Sequence, residues 1–169
     1  WSHPEARATI PVRSVFGMDA ASVADVHTED LLVTDRYTGF AALNNDEITT
    51  TEPGREWDRA LTQFLVGQRQ SPLWGTGGVD CHEDVMGNRI HGITTVFLLR
   101  ELTRSSVLEA LRRGRHYAVL GGDEGFVLSD FSVTGNTHVA VSGQELETPS
   151  GAIELSFKLS KLNDRTESL

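Results

Sequence analysis

Residues 75–84 read GTGGVDCHED, and three successive residues there carry groups that bind metal: Asp80, Cys81 and His82. At the end of a strand, side chains at i and i+2 point the same way. Asp80 and His82 would then project together, with Cys81 turned opposite into packing. A carboxylate beside an imidazole suits a hard or borderline divalent ion such as zinc, manganese or iron. Sites in parallel α/β folds gather where strands end at their C-terminal edge. On spacing alone the more economical reading is a polar turn, with Asp80 as its cap and His82 on the surface, because Asp-x-His is a short pattern. Nothing in the sequence argues for a depressed thiol pKa at Cys81.

A second candidate ligand opens the chain, in WSHPEA. Pro4 biases His3 towards extended backbone, which fits a strand end or the loop beyond it. His27, His91, His116 and His138 read as surface or core residues; of these, His91 lies nearest the Asp80–His82 loop. Asn44-Asn45-Asp46 closes an apolar run and reads equally as a turn or as the lining of a cleft. Trp57-Asp58 reads as packing plus favourable charge at a helix start. The sequence holds no Gly-x-Ser-x-Gly elbow, no Walker-type loop, no dinucleotide-binding fingerprint, no Cys-x-x-Cys and no His-Glu-x-x-His.

The elements that would position these residues follow from periodicity. Ala20, Val23, Ala24 and His27 fall at helical spacing ahead of Leu31 and Leu32, which predicts a helix near 19–32. Residues 40–46 (FAALNND) read as a buried strand. Trp57, Leu61, Phe64 and Leu65 lie on one helix face, with Pro53 and Gly54 before the helix and Gly67 closing it. Residues 73–80 read as a strand entering a glycine-rich bend, and residues 92–99 (GITTVFLL) as a β-branched strand. The segment TRSSVLEALRRGRHYAV predicts a helix with a Ser106–Glu109 capping box, an apolar face of Val107, Leu108 and Leu111, and Gly114 at its C-terminus. Strands and helices thus alternate, which points to βα units and a mostly parallel sheet or barrel. Beyond residues 121–124 the pattern becomes short strands with Gly, Asp and Asn turns, including a hairpin around Gly135-Asn136, and the last residues are polar.

Composition bounds the function. The chain has 169 residues, 38% hydrophobic and 23% charged, with 15 basic and 24 acidic residues for a net charge of −9. This is ordinary for a soluble globular protein. Such acidity disfavours nucleic acid and anionic membrane surfaces as partners. No apolar run approaches the ~20 residues of a membrane span. The single Cys81 excludes an internal disulfide.

Taken in order, HPEA, the Asn-ended FAALNND, EWDRALTQFLVGQ, LWGTGGVDCHED and TTVFLLRELTRSSVLEALRRGRHYAV resemble the later half of a PHP-domain (polymerase and histidinol phosphatase) protein, in the CehA/McbA-like metallohydrolase branch. The resemblance covers roughly residues 1–145. It implies an α/β fold: the C-terminal half of a distorted (β/α)7 barrel over residues 1–122, then a small β-rich extension over 123–169. It implies metal ligands at His3, Asp80 and His82, and two or three divalent ions (zinc, manganese or iron) in the intact protein. The implied activity is metal-dependent hydrolysis, of a phosphoester in the first instance, on a small phosphorylated or ester substrate. Arg100 and Arg115 are candidate phosphate clamps on charge alone. Since net charge does not attract an anion, bound metals would supply the local positive charge.

The chain departs from that pattern by lacking the family's early His-x-His pair and further upstream ligands. The expectation is therefore a fragment that by itself binds metal weakly or not at all and associates with a second copy or with a missing N-terminal half. Two other readings stand beside it. One is a non-catalytic interaction or structural domain with a degenerate site, using the β-rich tail as its surface. The other is an amidohydrolase-like enzyme acting on esters or amides.

Overall fold

The computed structural model describes residues 4–5, 8–15, 18–24, 26–44, 48–79, 92–121, 125–136, 138–149 and 151–161; over 8–15 and 18–24 it describes the backbone. Chain order is β1 (Ala8–Val15), β2 (Met18–Ala24), α1 (Asp30–Val33), β3 (Gly39–Asn44), a 3-10 turn (Thr49–Thr51), α2 (Glu56–Leu65), β4 (Trp74–Gly78), β5 (Ile93–Phe97), α3 (Arg104–Arg113), β6 (His116–Leu120), β7 (Phe126–Gly135), β8 (His138–Val141) and β9 (Ile153–Lys161).

Among the described residues no barrel closes, and this corrects the expected (β/α)7 half-barrel. These strands form three separate pairs and one three-stranded sheet of order β8-β7-β9. Of these pairings only β3 with β4 is parallel, with Gly39 opposite Trp74 and Asn44 opposite Gly78. The pair β5–β6 was expected to be parallel because α3 lies between its strands, but it is antiparallel, with Phe97 opposite His116 and Ile93 opposite Leu120. The physical reason lies in the connection. A ten-residue helix advances the chain about 15 Å, and the six residues between Phe97 and Arg104 can span up to ~20 Å. The loop carries the chain out, α3 brings it back, and Gly114 in the left-handed region (φ 67°) turns it directly into β6. No crossover to the far end of β5 takes place.

The expected helix over 19–32 is replaced by β2 and the four-residue α1. β2 pairs antiparallel with β1, from Ala8 opposite Ala24 to Val15 opposite Met18, with a register shift between Val12 and Val15. The hairpin closes at its base, where His27 N–H donates to Pro4 O at 2.8 Å.

The core lies between α1, α2, β3 and the start of β4. Leu31, Phe40, Ala42, Ala60 and Leu73 are buried there, with Leu32, Tyr37 and Trp57 packed against them. β3 alternates as a half-buried strand should, presenting Phe40, Ala42 and Asn44 inward. Trp57 meets Phe40 edge to face, with ring centroids 5.7 Å apart, and its indole N–H donates to Leu73 O at 2.7 Å. Gly75 admits that ring, since a Cβ there would stand 3.2 Å from Trp57 Cη2. Leu65, expected on the apolar face of α2, is instead 80% exposed. The buried stripe runs through Glu56 and Ala60, flanked by Trp57 and Leu61, and Leu65 falls outside it.

Helix α3 is capped one turn earlier than expected. Thr103 Oγ1 accepts from Ser106 N–H at 3.2 Å, which makes Ser106 the third helical residue rather than the cap. Glu109 reaches Arg113 and Arg115. Ala110 is the buried residue of this helix and Leu108 is exposed.

Beyond residue 125, β7 pairs with both β8 and β9 in antiparallel fashion. The expected hairpin is present, with Gly135 opposite His138 and Asn136 in the left-handed region (φ 52°) that such a short turn requires. Tyr117 Oη donates to Leu128 O at 3.1 Å, tying β6 to β7.

Candidate functional site

Three of the residues singled out in the sequence, His3, Asp80 and His82, lie outside the described residues, as do Asn45, Asp46, Cys81 and His91. Among the described residues no group of three or more His, Cys, Asp or Glu side chains could hold a metal ion. The flanks of the candidate ligands are described. Asn44 ends β3, is 3% exposed and lies in register with Gly78, the last residue of β4 and two positions before Asp80 in sequence. The space beside Gly78 is bounded by Asn44, whose Oδ1 would be 3.9 Å from a Cβ there.

The N-terminal flank docks on the segment that follows β3. Pro4 is buried, and the Glu5 carboxylate accepts from Thr49 N–H at 3.0 Å and from Thr50 N–H as well. These two amides open the turn that follows β3, and Thr50 is itself buried. A carboxylate clamped on two backbone amides is a charge-assisted contact. It fixes the residue next to Pro4 against the connection leaving the C-terminal end of β3. The flanks of His3 and of Asp80–His82 are therefore each anchored to β3 or to the turn that leaves it.

Arg115 sits elsewhere. A Cβ on Gly114 would overlap the Trp74 indole, and Trp74 Nε1–H donates to Arg112 O at 3.1 Å. Trp74 begins β4, so the end of α3 and the start of β6 lie at the start of β4. At the other end of β4, Gly77 packs on Ile93, and Thr95 Oγ1 accepts from Gly77 N–H at 2.9 Å. Arg115 therefore stands by the start of β4, about four residues or ~13 Å of strand away from Gly78. Its Nη2 is engaged with Glu109 at 3.1 Å. Arg100 is exposed in the loop after β5. Arg115 therefore belongs to the start of β4 rather than to the end that leads to Asp80.

A cavity of about 710 Å³ opens between this region and the tail. Its walls include Leu43, Thr51, Trp57 and Trp74 on one side and Phe131 and Val133 on the other. Leu43 and Thr51 are sequence neighbours of Asn44 and Thr50, so the cavity borders the segments that flank the candidate ligands. Aromatic walls of this size suit a small organic ligand.

His116, read from the sequence as an ordinary surface or core histidine, also lines this cavity and is 8% exposed. Its Nδ1 lies 3.2 Å from Ala110 O. A carbonyl only accepts, so Nδ1 is the donor in this contact. Nε2 is buried and has no hydrogen-bond partner among the described residues. The ring leans on Phe97 at 5.8 Å and closes the C-terminal end of α3. Its sequence context, Gly-Arg-His with no acidic neighbour at ligand spacing, carried no signal of that role.

Arg69 was likewise not legible. It is buried, donates through Nη2 to Leu31 O and to Thr34 O (3.0 Å), and lies 5.6 Å over the Tyr37 ring. Tyr37 Oη donates to Leu31 O at 2.7 Å. Burial raises the Tyr37 pKa above its usual value, and Arg69 partly offsets the rise through its charge and hydrogen bond.

No helix among the described residues is long and apolar enough to cross a membrane. A scan against protein-family models, a search of curated proteins and a search of solved structures each found no match to this chain.

Proposed function

We propose that the chain contributes His3, Asp80 and His82 as ligands to a divalent-metal site that hydrolyses small phosphoesters. The observation that carries this reading is the anchoring of the candidate ligands' flanks: Glu5 on the Thr49–Thr50 amides, and Asn44 in register with Gly78. Two imidazoles and one carboxylate are a donor set that zinc, manganese or iron accepts, with positions left for water and substrate. The chemistry a bound divalent ion supplies is activation of a water and neutralisation of phosphate charge. The chain's own part is to hold the three ligands, to keep the end of β3 rigid through buried Asn44, and to offer the cavity walled by Trp57, Trp74 and Phe131 to the organic portion of the substrate. Arg100 and Arg115 stay candidate phosphate clamps on charge alone, Arg115 with its Nη2 engaged by Glu109.

The test is hydrolysis of p-nitrophenyl phosphate by the full-length protein with manganese or zinc added. The expected result is metal-dependent turnover that His82→Ala reduces by roughly a hundredfold or more while the circular-dichroism spectrum is retained. Absence of turnover with every divalent ion tried would remove the hydrolase reading. A second reading, a non-catalytic interaction domain, is favoured by one observation: the apolar side chains that the tail leaves exposed on β9.

A further inference from the structure

Strand β9 reads IELSFKLSK and alternates strictly from Ile153 to Leu159. Its odd-numbered residues are apolar over that span, and Ile153, Leu155, Phe157 and Leu159 are 52–58% exposed. Opposite them on β7 stand Gly135, Val133, Phe131 and Leu128, so both strands present apolar groups on one face. The even-numbered residues Glu154, Ser156, Lys158 and Ser160 share the other face. Within the sheet order β8-β7-β9, β9 is an edge, and among the described residues it pairs with β7 alone. A long edge strand of this kind offers unpaired backbone N–H and C=O groups to another strand, and proteins ordinarily block it with proline, a bulge or an inward charge. β9 contains no proline, and its single register shift against β7 falls between Leu128 and Asp130.

The sequence of β9 also specifies which strand fits it. In an antiparallel pair the residue numbers of partners sum to a constant, and an even constant keeps the apolar faces together. Centred on Ser156, a second copy places Ile153 opposite Leu159 and Leu155 opposite Phe157. It also places Glu154 opposite Lys158, each pair occurring twice by symmetry. Shifting the centre to Glu154 or Lys158 sets like charges face to face. Centring on Leu155 or Phe157 leaves neither charge opposite its complement. Of these five registers only that at Ser156 satisfies both faces, and opposite charges directly across a pair are favourable where like charges are not. We infer that β9 pairs antiparallel with β9 of a second copy about a two-fold axis at Ser156. The product is a continuous six-stranded sheet, β8-β7-β9-β9-β7-β8, a common size for sheets, with an isologous interface. This inference is independent of the hydrolase reading.

The experiment is light scattering on the full chain across a concentration series, with Glu154→Lys and Lys158→Glu as single variants. Wild type should be a dimer. Each single variant converts two attractive pairs into two repulsive ones and should weaken dimerisation by roughly tenfold to a hundredfold. In an equimolar mixture of the two variants, one chain carries lysine at both positions and its partner carries glutamate at both. Both cross-copy pairs are then of opposite charge again, and the mixture should re-form a dimer. That recovery separates loss of pairing from loss of fold. In a Cys81→Ser background, Ser156→Cys should give a disulfide-linked dimer on mild oxidation. A wild-type monomer at every concentration would overturn the inference, as would a dimer indifferent to both charge variants or a mixture that stays monomeric.

Discussion

Replacement of Gly114 by alanine tests how the parallel strands are joined to the second half of the chain. Two costs fall on this residue. Its φ of 67° lies in the left-handed region, where a residue with a Cβ costs roughly 1–2 kcal/mol. A Cβ would also stand 2.5 Å from Trp74 Cε2 and Cε3, so the indole must move. Overpacking of that kind costs about 1–3 kcal/mol, and displacement of Trp74 loses its hydrogen bond to Arg112 O, worth about 0.5–1.5 kcal/mol. Together these give about 2.5–6.5 kcal/mol, which for a chain of this length is a fall in Tm of roughly 5–26 °C. Gly67 provides the control: its φ is 75°, but nothing lies within 4 Å of a Cβ placed there. Gly67→Ala should therefore cost only the backbone portion, about 1–2 kcal/mol. Scanning calorimetry on both variants separates conformational strain from overlap. Gly114→Ala in a Trp74→Ala background should fall back to the Gly67→Ala value. Equal losses for the two glycine variants, or an undiminished Gly114→Ala effect without the indole, would refute the packing of Trp74 on the end of α3.

Two further outcomes follow from the core. Arg69→Ala removes the donor to Leu31 O and Thr34 O, and chemical denaturation should register a loss of about 2–3 kcal/mol, since hydrogen bonds from a charged group are involved. Because the folded-state pKa of Tyr37 is raised, its contribution is fully present below the unfolded-state value near 10 and is lost as pH rises through the folded-state value. Melting temperature should thus decline in the alkaline range above about pH 10, and Tyr37→Phe should flatten that decline in a pH series followed by calorimetry.

Local structure was the legible part of this fold. The alternation in FAALNN, the helical spacing of Trp57 and Phe64, and the glycine ending LEALRRG each specify an element from neighbouring residues, and β3, α2 and α3 stand where those patterns put them. Pairing was not legible in the same way. Residues 93–120 contain a strand, a helix and a strand, which is also how a parallel unit reads. The antiparallel return depends on the reach of residues 98–103 and the turn at Gly114, and periodicity reports neither. Helical spacing at Ala20, Val23 and Ala24 was outweighed by the ladder with β1, a partner outside the local window. The side-chain contacts that tie distant segments together are longer still in sequence: Glu5 to Thr50, Arg69 to Leu31 and Trp74 to Arg112. Each joins a side chain to a distant backbone group and leaves no motif. The metal-ligand candidates were the reverse case: the order of motifs drew attention to His3, Asp80 and His82, and the structure contributes the anchoring of their flanks.

The central claim concerns metal, and metal content measures it most directly. Full-length protein stripped with a chelator, reloaded with manganese or zinc, dialysed and analysed by inductively coupled plasma mass spectrometry should retain two or three divalent ions per chain. His3→Ala, Asp80→Ala and His82→Ala should each lower that ratio while the fold is kept. A protein that retains no divalent ion, or one whose occupancy is unchanged in all three variants, would contradict the assignment of these residues as ligands.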